Sequence, residues 1–271
     1  LAGSSWIEAA YSYLGGVAGM NRGEISGNDM QDTSGIEISA KNSSCVGGLV
    51  GYNDTAGRIS DSSTGDWTVK NDKNAAHEFG TGGIIGNNAG RYDLEGLTNN
   101  ADVTGSWYYV GGIIGVQMNT SSGGFRITGC TNNGDITTQK YSAGGIIGFW
   151  RDYGGTVSEC YNNGNILAKE SGAYHGRVAG IVADIWTSTQ DMQVNIERCG
   201  NDGQIITNDY NGKCAGGIFG YVNAAKDSQL NISDCYNAGV LSNSGTCAGI
   251  AGQVGGSGNM AVTVFRCVNY G

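Results

Sequence analysis

The chain has no proline, two histidines and few charged residues, which make up 14% of its 271 positions. Without proline, every backbone N–H can join a hydrogen-bond ladder. Lysine and arginine number 15 against 24 acidic residues, so the net charge is −9. An acidic chain without basic clusters is a poor partner for nucleic acid or an anionic membrane.

Long apolar runs are also missing. No stretch approaches the roughly 20 apolar residues of a spanning helix, so membrane insertion is not expected. The start has no charged-then-apolar signal segment, and the chain stops partway through a repeat. We therefore expect residues 1–271 to form a single repeat domain, a fragment of a longer chain.

Glycine is abundant, with 49 residues, and much of it belongs to one repeated segment. The segment GGIIG occurs at 82–86, 111–115 and 144–148, and close variants occur at 15–19, 47–51, 179–183, 216–220 and 248–252. Copies are separated by about thirty to thirty-five residues. A fixed period of this size is typical of solenoids, propellers or other repeat arrays.

Each repeat contains three strand-like pieces. GGIIG comes first, an apolar residue after a Gly/Asn turn comes second, and a piece after an Asn-Gly turn comes third. The residues of the second piece are Ile25, Ile59, Leu94, Ile127, Val157, Ile196, Ile232 and Val264. Three strands per repeat predict an all-β parallel β-helix, right-handed, with about eight three-strand coils. A propeller is the nearest alternative, but its blades need about 40–45 residues.

Stacked coils place equivalent residues in files about 4.8 Å apart. One repeated position holds asparagine, which predicts a ladder of side-chain hydrogen bonds. A polar binding strip is the alternative interpretation. The asparagines are Asn99, Asn132, Asn162, Asn201, Asn237 and Asn269.

Cysteine fills a second repeated position, two residues before the asparagine. Its members are Cys130, Cys160, Cys199, Cys235 and Cys267. Eight cysteines in a secreted chain would ordinarily suggest disulfides. Because Leu97 occupies the same position in an earlier repeat, we favour a reduced, stacked file of small buried thiols. The pairing of Cys45, Cys214 and Cys247 stays open.

Both faces of a straight GGIIG strand would be apolar. Alternation places Ile84 on one side and Ile85 on the other, so one set should face the lumen. We expect loops, or less readily a partner, to cover the other set, because exposed apolar stripes are rare.

The string GGLVGYNDTAGRISDS, at 47–62, resembles the GLUG motif repeat. The GGIIG copies are similar variants and together cover nearly the whole chain. The resemblance implies a β-helical, non-catalytic repeat region of a large secreted or wall-attached bacterial protein. Such repeats occur in adhesin-like surface proteins and beside the catalytic domains of IgA-cleaving metallopeptidases.

The sequence does not contain a two-histidine zinc motif. His77-Glu78 begins like HExxH, but Thr81 stands where the second histidine must be, and His175 is the one other histidine. Asp66, Asp102 and Asp135 share a repeat position, which could be an acidic catalytic file or, more simply, a solvated outer row. We predict no catalytic residues, no metal and no cofactor.

Aromatic residues are the best candidates for ligand binding, because rings on protruding loops suit sugars or proteins. Alternatively, each tryptophan covers the apolar stripe. The candidates are Trp107, Tyr109, Tyr141, Trp150, Tyr153 and Trp186.

These observations favour a rigid spacer or adhesin segment, secreted or on a bacterial cell surface, that presents loops to a host protein or glycan. Two alternatives remain. One is a carbohydrate-active β-helix enzyme, either a polysaccharide lyase or a glycosidase. The other is an accessory region of a host-protein-cleaving peptidase.

Overall fold

The fold comes from a computed structural model that describes residues 5–9, 13–41, 44–72, 79–118, 124–169, 176–189, 191–208, 214–224, 227–243, 245–254 and 260–271. The described residues form strands, turns and bends, and no helix. Within those ranges, no segment is a helix long and apolar enough to cross a membrane. The predicted all-β class is confirmed.

A full coil passes through five parallel sheets, which we name A to E in the order that the chain visits them, and the first two coils have strands in A to D. Sheet A consists of β1 (Ser5–Ala9), β5 (Ser34–Ala40), β9 (Asp66–Asn71), β14 (Asp102–Gly105), β19 (Ile136–Thr138), β24 (Ile166–Ala168), β29 (Ile205–Thr207) and β34 (Leu241–Asn243). Sheet B consists of β2 (Tyr13–Gly15), β6 (Cys45–Gly47), β10 (Gly80–Gly82), β15 (Tyr109–Gly111), β20 (Ala143–Gly144), β25 (Arg177–Ala179), β30 (Cys214–Gly216) and β35 (Thr246–Ala248).

The next two sheets also have eight strands each. Sheet C consists of β3 (Ala18–Asn21), β7 (Val50–Asn53), β11 (Ile85–Asn88), β16 (Ile114–Met118), β21 (Ile147–Arg151), β26 (Val182–Thr187), β31 (Phe219–Ala224) and β36 (Ala251–Val254). Sheet D consists of β4 (Glu24–Ser26), β8 (Arg58–Ser60), β12 (Leu94–Glu95), β17 (Arg126–Thr128), β22 (Gly155–Ser158), β27 (Gln193–Glu197), β32 (Gln229–Ser233) and β37 (Ala261–Phe265).

Sheet E is smaller and has six short strands. They are β13 (Thr98–Asn99), β18 (Thr131–Asn132), β23 (Tyr161–Asn162), β28 (Gly200–Asn201), β33 (Tyr236–Asn237) and β38 (Val268–Asn269). Because four sheets have eight strands each, the chain makes about seven full turns between its first and last pass. The predicted β-solenoid is confirmed, with five strand segments in a full coil rather than three.

The register stacks like residues on like residues. Asn99 pairs with Asn132, and Asn132 pairs with Asn162. On sheet D, Leu94 pairs with Ile127, which pairs with Val157. Each repeat is therefore one rung, as the period indicated, and the asparagine file inferred from the sequence is a file in space.

The GGIIG segment is a turn between two sheets and not one strand. β10 ends at Gly82 in sheet B, and β11 begins at Ile85 in sheet C. At the turn, the backbone N–H groups of Ile84 and Ile85 both donate to the carbonyl oxygen of Ile113, at 3.2 and 2.8 Å. Neighbouring coils stay in register across this corner, with Gly82 opposite Gly111 and Ile85 opposite Ile114. The chain therefore turns from sheet B to sheet C here, and the side-chain alternation of a single strand ends at the turn.

The expectation that one isoleucine set needs a separate cover is therefore wrong. Ile84 and Ile85 are both fully buried, and both belong to the same hydrophobic core. Because the corner interrupts strict alternation, the neighbouring isoleucines join one core. The same geometry recurs in other coils, where Ile113 and Ile114 both donate to the carbonyl oxygen of Ile146.

Glycine lets sheets B and C lie against each other. A Cβ on Gly80 would be 2.4 Å from the carbonyl oxygen of Gly86, and a Cβ on Gly86 would be 2.7 Å from the backbone nitrogen of Val46. No side chain fits into such spaces, so the repeated glycines are required by backbone packing. This close packing explains why glycine occurs at both ends of the GGIIG repeat.

A left-handed residue marks the corner before the cysteine file in every coil. Glycine occupies it in three coils and a charged residue in five, at Gly27, Asp61, Gly96, Gly129, Glu159, Arg198, Asp234 and Arg266. Charges of opposite sign then pair between neighbouring coils. Arg198 contacts Glu159 at 3.1 Å, and Arg266 contacts Asp234 at 2.5 Å.

Candidate functional site

The asparagine file is continuous. Each Nδ2 donates to Oδ1 of the asparagine in the next coil, at 2.7 Å at every step from Asn99 to Asn269. Each Nδ2 also donates to the carbonyl oxygen two residues on, such as that of Gly164 for Asn162. Asn99, Asn132, Asn162, Asn201 and Asn237 are fully buried. From Asn99 to Asn237 the file therefore belongs to the interior and offers no surface to a ligand, and Asn269 in the last coil is exposed.

The five predicted thiols also form one file. Cys130, Cys160, Cys199 and Cys235 are buried, and Cys267 is partly buried in the last coil. All eight cysteines lie within the described residues, and none of them forms a disulfide. Burial and the neighbouring thiols raise the pKa of the Cys160 thiol. Cys214 is not part of this file: it pairs with Arg177 in sheet B, and its thiol donates to Oε1 of Gln253 at 2.6 Å.

A second amide file was not predicted. It runs through sheet C in the first coils, where Asn21 donates to Asn53, Asn53 to Asn88, and Asn88 to Gln117, at 2.7 to 2.8 Å. In the next coil Trp150 takes this position, paired with Gln117. The file then continues with the buried Ile185 and Val222. Because the residue type changes from amide to apolar, no single repeated letter revealed it.

Three of the six predicted aromatic residues, Trp107, Tyr109 and Tyr141, meet on one surface. Together with Tyr108, which was not predicted, they form what we call the aromatic patch. Trp107, Tyr108 and Tyr141 lie in the connections between sheets A and B of consecutive coils, and Tyr109 is the first residue of β15. The Tyr108 and Tyr141 rings stack with centroids 4.7 Å apart, and Trp107 lies 6.3 Å from Tyr141. The Lys140 ammonium lies 3.8 Å from the Trp107 ring centroid. All four patch residues are partly exposed, so the patch has ring surface available for a ligand.

Trp150 does not fit the predicted binding role. Its side chain is fully buried in the hydrophobic core, and its Nε1 donates to the carbonyl oxygen of Tyr153 at 3.0 Å. Because it replaces an amide of the sheet C file with a large apolar ring, it has the alternative role of filling the core. The sequence could not distinguish these roles, since both place a tryptophan just after GGIIG.

Tyr153 is separate from the patch. It lines an open cleft of about 500 Å³ on the sheet D side, together with Thr156, Asp191 and Asn195. Asn231 donates to Asn195 there at 3.0 Å. The cleft has little aromatic surface and is not continuous with the other predicted residues.

Trp186 lies at a pocket of about 210 Å³ that begins where the patch ends, and which we call the sheet C pocket. Its lining residues are Tyr109, Phe149, Arg177, Asp184, Trp186 and Asn223. Tyr109 belongs to both the patch and the pocket, and its ring stacks on Phe149 with centroids 4.1 Å apart. Trp186 is 39% exposed, so its ring face is available.

A buried ion pair lies at the base of the sheet C pocket. Arg177 Nη1 donates to Asp184 Oδ2 at 2.5 Å, and the Asp184 side chain is 1% exposed. The guanidinium also lies 4.1 Å from the centroid of the Tyr221 ring, a cation–π arrangement. Burial, together with the Asp184 charge, raises the pKa of Tyr109 and keeps its hydroxyl protonated. Sequence analysis missed Arg177 and Asp184, because other coils have unrelated residues at these positions.

The predicted acidic row is partly corrected. Asp102 and Asp135 are neighbours in one exposed file, where the backbone N–H of Asp135 donates to Asp102 at 2.9 Å. Asp66 does not belong to this file, because the strand register pairs Asp102 with Thr68. His77 and His175 lie outside the described residues. Within the described ranges, no group of three or more His, Cys, Asp or Glu residues is placed to hold a metal ion.

Residues 42–69 match the family model of the GLUG motif. This stretch runs from just before β6 into β9 and so spans about one coil. The match supports a GLUG-motif repeat protein, as the GGLVG segment indicated. No curated protein and no solved structure matches the chain.

Proposed function

We propose that this GLUG-motif solenoid is a rigid, non-catalytic repeat region of a secreted or cell-surface bacterial protein, and that it presents the aromatic patch to a glycan or host protein. The aromatic patch is the observation that carries the proposal. Four partly exposed rings from consecutive coils converge beside Lys140. Flat rings that keep exposed faces are common anchors in binding surfaces.

Rigidity follows from the two ladders. Because each buried asparagine bonds to the coil below and the coil above, one coil cannot rotate without breaking side-chain bonds on both sides. Loops that project from such a stack stay at fixed distances from one another, as the side chains of a ligand-binding surface must.

A non-catalytic role agrees with the charges near the patch. Most glycosidases use two carboxylates, about 5 to 10 Å apart. Asp184 is the one carboxylate among the residues that line the sheet C pocket, and Arg177 already holds it. Incubation with polysaccharides and an assay for new reducing ends or unsaturated products tests the enzyme alternative, and product formation would contradict our proposal.

A glycan array combined with host extracellular-matrix proteins tests the patch. We expect wild-type protein to bind, and Trp107→Ala to weaken binding by about 10-fold or more, equivalent to about 1.4 kcal/mol. Tyr161→Ala is a matched control, because Tyr161 is 37% exposed but lies on sheet E. Equal binding by Trp107→Ala and wild type would overturn the role of the patch.

A further inference from the structure

We infer that the sheet C pocket binds one neutral pyranose ring of a glycan whose further residues extend along the aromatic patch. This inference rests on the proposed function and names its ligand class. The pocket volume of about 210 Å³ is smaller than the roughly 300–1,000 Å³ of sites for drug-sized ligands. The pocket therefore fits a single ring better than a peptide side-chain cluster or a cofactor.

The arrangement of strands places the necessary groups on one face. Asp184 and Trp186 are two residues apart on β26, so their side chains are on the same side of sheet C. Asn223 pairs with Trp186 from the next coil, and Phe149 pairs with Asp184 from the previous coil. Arg177 and Tyr109 come from the facing strands of sheet B.

These groups match the two surfaces of a pyranose. A sugar ring has an apolar C–H face, for which the exposed Trp186 ring is a flat partner. Its rim carries hydroxyls that both donate and accept. Arg177, whose side chain is 23% exposed, donates, and the Asn223 amide both donates and accepts, while the buried Asp184 holds the guanidinium in place. Small-ligand sites are usually lined by aromatic and apolar side chains with a small number of polar groups, as this pocket is.

Charge balance favours a neutral sugar over a uronic or sialic acid. The Arg177 guanidinium is already engaged by Asp184 and lies on Tyr221. Another cation, Arg151, lies 5.8 Å from the Trp186 ring centroid and 3.4 Å from the Asp152 carboxylate. An acidic ligand would therefore find both cations already paired with carboxylates, on a chain of net charge −9.

Tyr109 joins the pocket to the patch. Its ring stacks on Phe149 inside the pocket and lies 5.8 Å from Tyr108 and 6.2 Å from Tyr141 in the patch. A glycan with one residue in the pocket could therefore place its next residues over further rings. This continuity predicts tighter binding of oligosaccharides than of single sugars.

Saturation-transfer NMR with methyl pyranosides, matched neutral oligosaccharides and methyl glucuronide tests the inference. We expect wild type to bind neutral sugars, and Trp186→Ala and Asn223→Ala to lose at least about 10-fold in affinity. Trp186→Phe should restore binding of the single sugar, because it retains a flat ring. Trp107→Ala should weaken oligosaccharides but leave methyl pyranosides unchanged, and circular dichroism should show that each variant is folded.

The two proposals fail in different ways. If Trp107→Ala abolishes binding while Trp186→Ala and Asn223→Ala bind as wild type, the pocket assignment is overturned and the patch stands. Preference for methyl glucuronide, or binding of a protein but of no sugar, also overturns the pocket assignment. If neither Trp107→Ala nor Trp186→Ala changes the binding of any ligand, both proposals are wrong.

Discussion

The side-chain nitrogen of Asn132 donates to Oδ1 of Asn162, one coil away, at 2.7 Å. The same nitrogen donates to the carbonyl oxygen of Gly134 at 2.9 Å. One residue type thus ties neighbouring coils together and also fixes the local turn. Since both amides are fully buried, their hydrogen bonds cannot be replaced by water when one member is removed.

Breaking this ladder should destabilise the solenoid. Asn162→Ala removes the donor to Gly164 and Asn201, so two buried acceptors each lose a hydrogen bond. We expect the free energy of unfolding to fall by about 2 to 3 kcal/mol, measured by urea denaturation. Asn163→Ala is the matched control, since Asn163 is exposed although it bonds to Asn133 at 2.8 Å. Equal losses in the two variants would show that burial of the ladder is not what stabilises the coils.

Close backbone packing predicts a difference between two glycines. A Cβ at Gly145 would lie 2.0 Å from the carbonyl oxygen of Gly180 and 2.4 Å from Cγ of Asn162, so Gly145→Ala must displace backbone. Gly129 has a φ of 63°, and a Cβ there would lie no closer than 4.0 Å to another atom, the backbone nitrogen of Gly96. Gly129→Ala should therefore cost about 1 kcal/mol through backbone conformation alone. We expect Gly145→Ala to lose several times more stability or fail to fold, and similar denaturation midpoints for both would contradict the packing argument.

The buried thiols predict a loss of stability in alkali. Burial raises the pKa of Cys160, and the Cys199 thiol together with burial raises the pKa of Cys235. In the unfolded chain, a cysteine thiol has a pKa of about 8.5. The stabilisation from the protonated folded form is therefore fully present below this pH and is lost as pH rises above it. Each such thiol contributes a slope of about 1.4 kcal/mol per pH unit.

Urea denaturation between pH 7 and 9.5 measures this slope. We expect the unfolding free energy of wild type to decline above about pH 8.5, and the decline to be shallower in a Cys160→Ala and Cys235→Ala double variant. Identical slopes would mean that these thiols do not account for the pH dependence.

Strict repetition decided what the sequence could predict. The files from Asn99 to Asn269 and from Cys130 to Cys267 keep one residue type through consecutive coils, so their stacking followed from the period. The turn within GGIIG could not be predicted, because the same residues would also form a straight apolar strand. The amide file through Asn88 and Gln117 was hidden by its change to Trp150.

The candidate site was predicted in part for the same reason. Trp107, Tyr109 and Tyr141 were identified because aromatic rings are conspicuous in loops of a glycine-rich chain. Arg177 and Asp184 come from strands of two different sheets, and their contact depends on the close packing of sheets B and C. Sequence spacing alone carries no signal for a pair that meets across a sheet interface.

The Arg177 and Asp184 pair gives the last prediction. Arg177→Ala removes the guanidinium from a carboxylate whose side chain is 1% exposed, and such a loss typically costs about 3 to 5 kcal/mol. Without the cation, burial favours the protonated acid, so the variant should regain stability relative to wild type as pH falls from 7 to 4. Arg177→Ala combined with Asp184→Asn should recover much of the loss at pH 7, because the buried charge is gone. If the double variant is no more stable than Arg177→Ala and neither shows pH-dependent recovery, the guanidinium stabilises the pocket through packing on Tyr221 rather than through its charge.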